Sequence, residues 1–135
     1  KILNYTIVHD SGVLINPTLV EGQLQGGVAH GIGNALYEWM GYDENAQPVI
    51  TNFAEYLLPS STSVPNIEII HVETPSTLNP LGVKGAGESG VIAVAGAVVS
   101  AVEHALEPFG VWISEAPIAP ARIVELIENA KTAAH

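Results

Sequence analysis

The sequence contains no cysteine and few basic residues, with Cys 0 and Lys+Arg 4 against Asp+Glu 14 among 135 residues. Without cysteine, the chain forms neither a disulfide framework nor a thiolate-bound metal or iron–sulfur site. So few cations cannot build the positive surface that nucleic acid or an anionic membrane requires, and we expect neither as a partner. Because the sequence begins with Lys1 rather than Met, we expect a piece of a larger polypeptide or one chain of a complex.

Charged residues are also scarce, at 13%, whereas hydrophobic residues make up 47%. This balance is too apolar for a disordered acidic tail and favours a folded, single partial domain over residues 1–135. The apolar stretch 91–102 is shorter than the ~18–20 residues that a membrane-spanning helix requires. So apolar a chain is expected to have part of its surface covered by other protein.

Residue periodicity predicts an α+β (mixed α/β) fold in which helices pack on a small mixed sheet. Apolar residues recur every four positions from Val20 to Met40, which predicts a helix that Pro17 opens after an Asn16 N-cap. The remaining predicted elements are strands over 2–9, 49–58 and 67–72, a polar turn over 42–47, an irregular loop over 74–90, a fully buried helix over 91–106 and a last helix over 121–130.

The first predicted helix carries an unusual number of glycines. They are Gly22, Gly26, Gly27, Gly31 and Gly33. Each costs roughly 1 kcal/mol relative to alanine in a helix interior. A helix of this composition is expected only where its backbone is approached closely, either by another element or by a ligand.

A second glycine-rich stretch, the glycine loop (residues 84–89), lies before the predicted buried helix. With Gly90 it satisfies the dinucleotide-binding pattern G-x-G-x-x-G. We reject that interpretation because Pro75 and Pro80 separate the preceding strand from the glycines, so no tight strand-to-helix turn is expected. In addition, Glu88 would place a carboxylate where a pyrophosphate has to lie.

Glu88 is the side chain of this stretch with the clearest chemical use. The surrounding glycines leave room for a bulky ligand, and a carboxylate presented there can act as a general base. The alternative is that Glu88 only places a favourable negative charge at the start of a helix. The residues alone leave both interpretations open.

Several separated motifs resemble the molybdopterin-binding subunit of the xanthine oxidase family, which includes aldehyde oxidoreductases, purine hydroxylases and aerobic carbon monoxide dehydrogenases. The similar motifs, in the family's order, are 10–12 with 15–17, 21–27 with 31–38, 74–76 with 79–82, and 84–88. The resemblance extends over residues 5 to 127 and corresponds to the C-terminal part of a much longer subunit.

The resemblance implies that Glu88 is the active-site base of a hydroxylase whose oxygen comes from water. Its substrate would be an aldehyde, a purine, an N-heterocycle or carbon monoxide. Molybdenum is held in this family by the dithiolene of the pterin cofactor, so no protein metal ligand is expected. The cofactor-binding residues implied by the resemblance are Gln23, Gln25, Gly26, Gly27, His30, Lys84, Gly85, Ala86, Gly87 and Ser89.

One departure concerns His30, because many family members carry glutamine at that position. An imidazole offers one donor or acceptor per ring nitrogen. His30 is therefore expected either to contact the cofactor or to pack against the neighbouring sheet.

The resemblance also implies partners and further cofactors. A molybdopterin-type molybdenum cofactor is expected, with the cytosine dinucleotide as a candidate form, and iron–sulfur clusters and FAD are expected on partner chains or domains. The expected partners are the remainder of the molybdopterin subunit and iron–sulfur and flavin subunits, in a cytoplasmic hetero-oligomer. The alternative is a docking or assembly fragment of such a complex that does not turn over.

Overall fold

A two-stranded parallel sheet connects distant parts of the chain in the computed structural model, which describes residues 1–133. β1 (Tyr5–His9) pairs with β2 (Ile67–His71), and the register places His9 beside His71. Side chains alternate between the two faces of a strand, and His9 lies buried on the covered face. The end of β1 is therefore held next to the end of β2 on the covered side of the sheet.

Helices make up most of the regular structure, which confirms the predicted α+β class. They are α1 (Pro17–Leu36), α2 (Ser89–Ile92), α3 (Val94–Ala105), a 3₁₀ helix (Glu107–Phe109) and α4 (Pro120–Ala133). The predicted N-cap is confirmed, because the backbone N–H of Leu19 donates to Oδ1 of Asn16 at 3.2 Å. No helix within the described residues is long and apolar enough to cross a membrane.

The strand predicted over 49–58 is wrong. Asn52 organises a local turn there: its Oδ1 accepts from the N–H of Ala54 at 2.9 Å and its carbonyl accepts from the N–H of Tyr56 at 3.1 Å. Local bonds of this kind compete with strand pairing for the same backbone groups.

The helix predicted over 91–106 is divided and only partly buried. α2 ends at Ile92 with Ala93 as its C-cap, and α3 begins at Val94. The buried residues Gly90, Val94 and Val98 keep four-residue spacing across the division, so the pattern does not reveal it. Ile92 is 78% exposed, which shows that apolar composition alone does not establish burial within this chain.

The chain forms two compact units, the first from Lys1–Gly31 and Pro59–Val94 and the second from Ile32–Leu58 and the described residues after Val94. Leu24, Val28 and Val94 are fully buried in the first unit. In the second, Val111, Ile113 and Ile118 form a core against apolar residues of α3 and α4.

A contact between two glycines brings α2 against α1 within the first unit. A Cβ on Gly27 would lie 2.7 Å from the carbonyl carbon of Gly90, and a Cβ on Gly90 would lie 2.7 Å from the carbonyl oxygen of Leu24. Backbone atoms on both sides leave no room for either side chain. Here the close approach suggested by the helix glycines is made by another element. The space around Gly22 is open, by contrast.

We predict that Gly27→Ala destabilises the protein by about 1–3 kcal/mol, because the new methyl group meets backbone that cannot move aside. The matched change Gly22→Ala should stabilise it by roughly 0.5–1 kcal/mol, since alanine is the better helix former and meets open space. Denaturant unfolding measures both values. Equal shifts in the same direction would show that the Gly27–Gly90 contact does not constrain the helices.

Candidate active site

The start of the glycine loop is fixed to the segment that follows β1. Val83 pairs with Gly12 in an antiparallel bridge, and the N–H of Lys84 donates to the carbonyl of Ser11 at 2.8 Å. Gly12 and Gly82 both have a φ of 67°, in the left-handed region that glycine adopts without strain. A Cβ on Gly12 would also collide with the carbonyl of Gly82, so the pairing requires glycine at this position.

Lys84 anchors the loop further through its side chain. Its Nζ donates to Oδ2 of Asp10 at 2.7 Å and to Oγ1 of Thr74 at 2.6 Å, and the Thr74 hydroxyl donates to the same carboxylate. The hydrogen bond from Lys84, followed by those from Thr74 and Gly12, holds the pKa of Asp10 well below its ordinary value. Asp10, whose Oδ1 accepts from the N–H of Gly12 at 2.8 Å, therefore joins two loops.

The other end of the loop is attached to β1 through His9. Nε2 of His9 lies 2.8 Å from Oγ of Ser89, and that hydroxyl donates to the carbonyl of Ala86 at 3.0 Å. Burial lowers the pKa of His9, the neighbouring His71 lowers it further, and Asp10 opposes both effects. These effects favour the neutral imidazole.

α1 contacts the middle of the loop. Nε2 of Gln23 donates to the carbonyl of Gly87 at 3.3 Å. Together with the Gly27–Gly90 contact, this bond positions the residues on either side of Glu88 relative to α1.

Glu88 lies at the N-cap position of α2, with φ -112° and ψ -6°, yet its side chain makes no capping hydrogen bond. The side chain is exposed within this chain. The carboxylate is thus presented outward from a loop whose neighbouring residues are attached to β1 and α1. The position still allows the alternative, in which Glu88 only places a favourable negative charge at the start of a helix.

The other predicted site residues lie close to this loop in sequence or along α1. Gln25, Gly26 and His30 are exposed on α1. A Cβ at Gly26, Gly85 or Gly87 would meet open space, whereas that of Gly27 would meet Gly90. The roles of these residues toward a cofactor remain predictions.

Sequence reasoning missed His9, Asp10 and Thr74 as parts of this arrangement. The alternation of side chains between the two faces of β1 could have indicated that His9 is buried, because it places His9 on the same face as Tyr5 and Ile7. The partners were not predictable from spacing: His9 and Ser89 are 80 residues apart, and Asp10 and Lys84 are 74 apart.

No group of three or more His, Cys, Asp or Glu side chains within residues 1–133 could hold a metal ion. His135 lies outside the described residues. Nor do the glycines follow a strand directly, because β2 ends at His71 and α2 has only 4 residues. That arrangement differs from the strand–turn–helix of a dinucleotide-binding fold.

Comparison with known proteins places this geometry in a family. A family model described as a molybdopterin cofactor-binding domain matches residues 1–65. The large subunit of nicotine 6-hydroxylase from Paenarthrobacter nicotinovorans is 48% identical over 124 residues, 92% of this chain and 15% of that protein. The chain belongs to the molybdopterin-binding large subunits of the xanthine oxidase family.

Two further relatives agree with this assignment. The molybdenum-binding subunit of xanthine dehydrogenase from Escherichia coli O157:H7 is 40% identical over 93% of this chain and 16% of its own length. The crystal structure of quinoline 2-oxidoreductase from Pseudomonas putida 86 matches 91% of this chain and 16% of that chain, with a TM-score of 0.89 and 47% identity. The chain therefore spans only about one sixth of the relatives it matches.

The exposed part of the glycine loop suits the cofactor of this family. No backbone N–H of residues 85–88 donates to a backbone carbonyl within the described chain, and the glycine positions there face open space. Amide donors in that state are free to bind the oxygen and ring-nitrogen acceptors of a pterin cofactor. The residues present fit the group.

We predict that Asp10→Asn destabilises the protein at neutral pH, and that the difference from wild type shrinks as the pH falls below 3.8, the ordinary aspartate value. The depressed pKa of folded Asp10 means that its contribution is complete above 3.8 and is lost as the pH falls through the lower folded value. Unfolding free energies measured across this range test the prediction. A difference that does not change with pH would argue against an ionised Asp10–Lys84 pair.

Proposed function

We propose that this chain supplies the catalytic base Glu88 and part of the pterin pocket of a molybdenum hydroxylase that takes its oxygen from water. The observation that carries the proposal is the state of Glu88: its carboxylate is exposed and uncapped, while the adjoining loop is held by Lys84, Ser89 and Gln23. A base has to be within reach of its proton and oriented toward it, and anchored neighbours favour that orientation.

The remaining residues divide between holding the loop and holding the cofactor. Lys84, Ser89 and Gln23 use their polar atoms within the chain, so they would shape the pocket more than bind its contents. The backbone N–H groups of residues 85–88, with the exposed side chains of Gln25 and His30, would bind the cofactor. When bound, the molybdenum cofactor supplies the redox centre that accepts electrons from the substrate.

Glu88 takes up a proton in this scheme. An ionised carboxylate at the N-terminal end of α2 has both oxygens available as acceptors. Removing a proton from the attacking water-derived oxygen would increase its nucleophilicity toward an electron-poor carbon. The proton would remain on the Glu88 carboxyl group until solvent removes it.

The substrate we propose is a nitrogen-containing aromatic ring. The names of the three relatives described above refer to nicotine, xanthine and quinoline, and each of these molecules contains such a ring. A ring nitrogen withdraws electrons from the adjacent carbon, which makes that carbon susceptible to attack by oxygen.

The proposed partners are the rest of the large subunit and iron–sulfur and flavin subunits, within a cytoplasmic complex. The proposed cofactor form is the cytosine dinucleotide. Large apolar side chains on the surface of this chain support an extensive contact with other protein. Those exposed by three quarters or more are Leu3, Phe53, Leu78, Ile92 and Trp112.

We predict that Glu88→Gln lowers substrate turnover by the assembled enzyme at least ~100-fold, because the amide cannot accept the proton. Molybdenum content should be unchanged, since the loop anchors remain. Steady-state kinetics and metal analysis of the purified complex measure both quantities. The matched control is Glu128→Gln on α4, an exposed glutamate remote in sequence from the glycine loop, which should retain wild-type turnover.

Two outcomes would contradict the proposal. Turnover of Glu88→Gln within a few fold of wild type would remove the base role and favour the alternative of a docking fragment. A complex active on aldehydes or carbon monoxide, and inactive on pyridines, quinolines and purines, would overturn the proposed substrate class while leaving the base role in place.

A further inference from the structure

We propose that His9 is a positioning residue for Glu88, acting through the hydroxyl of Ser89. This inference rests on the proposed function, because it concerns how the same loop is kept in place. His9 does not need to touch substrate or cofactor for this role.

The first support is the location of His9. It is the last residue of β1, it lies beside His71 in the register, and only 6% of its surface is exposed. A buried imidazole has few orientations available, so its Nε2 is held in a fixed position. The sheet can therefore serve as a rigid support for whatever that nitrogen binds.

The direction of the hydrogen bonds gives the second support. The Ser89 hydroxyl has one hydrogen, which it donates to the carbonyl of Ala86. The oxygen of Ser89 therefore accepts from His9, whose Nε2 carries the hydrogen in this arrangement. The result is a directed chain from His9 through Ser89 to Ala86, and it spans the two residues that lie between Ala86 and Ser89.

The third support is the unused ring nitrogen. Nδ1 of His9 is buried without a hydrogen-bond partner within the described residues. An unpartnered buried nitrogen is costly, so a purely structural site would favour an apolar side chain here. The bond from its other nitrogen to Ser89 accounts for an imidazole at this position.

The fourth support comes from the neighbouring residue. Asp10 holds Lys84 at the beginning of the glycine loop, whereas His9 holds Ser89 at its end. Two consecutive residues of the chain thus fasten both ends of a six-residue loop. Glu88 directly precedes Ser89, which His9 binds, so loss of the His9–Ser89 bond affects the Glu88 carboxylate first.

The test compares His9→Asn with His9→Gln in the assembled enzyme. The amide nitrogen of glutamine can reach the position of Nε2, whereas that of asparagine corresponds to Nδ1 and cannot reach Ser89. We expect His9→Asn to lower kcat about 10- to 100-fold with a smaller change in KM, because Glu88 loses its orientation. His9→Gln should restore kcat to within about threefold of wild type.

A second readout is independent of activity. Amide hydrogen exchange of the peptide spanning 84–94 should become about three- to tenfold faster in His9→Asn and remain near wild type in His9→Gln. The matched control is His71→Asn, because His71 lies on the same face of the sheet and contacts Glu21 at 3.6 Å rather than the glycine loop, and its ring nitrogens make no hydrogen bond within residues 1–133. This variant should leave exchange in the peptide unchanged.

Ser89→Ala removes the same bond from the loop side, together with the bond from Ser89 to Ala86, and with a smaller change in volume. If His9→Asn does not assemble, Ser89→Ala should still show the faster exchange and the lower kcat. Where both variants assemble, the double variant should be no worse than Ser89→Ala, because Ser89→Ala already lacks both the bond to His9 and the bond to Ala86.

The outcomes separate this inference from the function on which it rests. Equal effects of His9→Asn and His9→Gln, or an effect of His71→Asn on the loop peptide as large as that of His9→Asn, would overturn the positioning role. If Glu88→Gln remains active while His9→Asn still loosens the loop, the anchor stands and the base role fails. If Glu88→Gln is inactive and none of the other variants changes exchange or kcat, the base role stands and the anchor fails.

Discussion

The contact between Gly27 and Gly90 is the constraint on which the rest of the site depends. Because neither position has room for a Cβ, the backbones of α1 and α2 approach directly, with no side chain between them. Glu88 lies two residues before Gly90, so the contact determines how far the carboxylate is from α1. Gln23 can reach the carbonyl of Gly87 for the same reason. Glycines destabilise α1 relative to alanine, but at Gly27 glycine permits a close approach of the two backbones that no other residue type permits.

The sequence predicts those parts of the fold that depend on local chemistry. Four-residue spacing and the Asn16 cap locate the start of α1, and β-branched runs locate both strands. The failures have nonlocal or competing causes: Asn52 diverts a strand-like run into a turn, and the division between α2 and α3 leaves the apolar spacing unchanged. Glu88 could be singled out because glycines surround it, whereas the roles of His9 and Asp10 depend on partners that only folding brings near.

The candidate site has two parts: the ends of the glycine loop are hydrogen-bonded within the chain, and the middle of the loop is exposed. Toward the sheet, hydrogen bonds to His9, Asp10 and Thr74 use the polar side chains at both ends of the loop. By contrast, the side chain of Glu88 is exposed and makes no capping bond, and a Cβ at Gly85 or Gly87 would meet open space. This division is what a surface that receives a large polar cofactor requires, because donors already bonded within the protein cannot also bind a ligand. In the proposed function the chain would contribute one wall of a site, and it spans about one sixth of its relatives.

The glycine loop is attached at both ends to two adjacent residues, His9 and Asp10, and this limits how the sequence of the loop can vary. The distance between the anchors of Lys84 and Ser89 is set by His9 and Asp10, which are fixed to each other by a single peptide bond. An added or deleted residue between the anchors has to be absorbed within a loop whose ends cannot move apart. Evolution of this segment is thus expected to be strict in length, with Glu88 kept at a constant number of residues from each anchor.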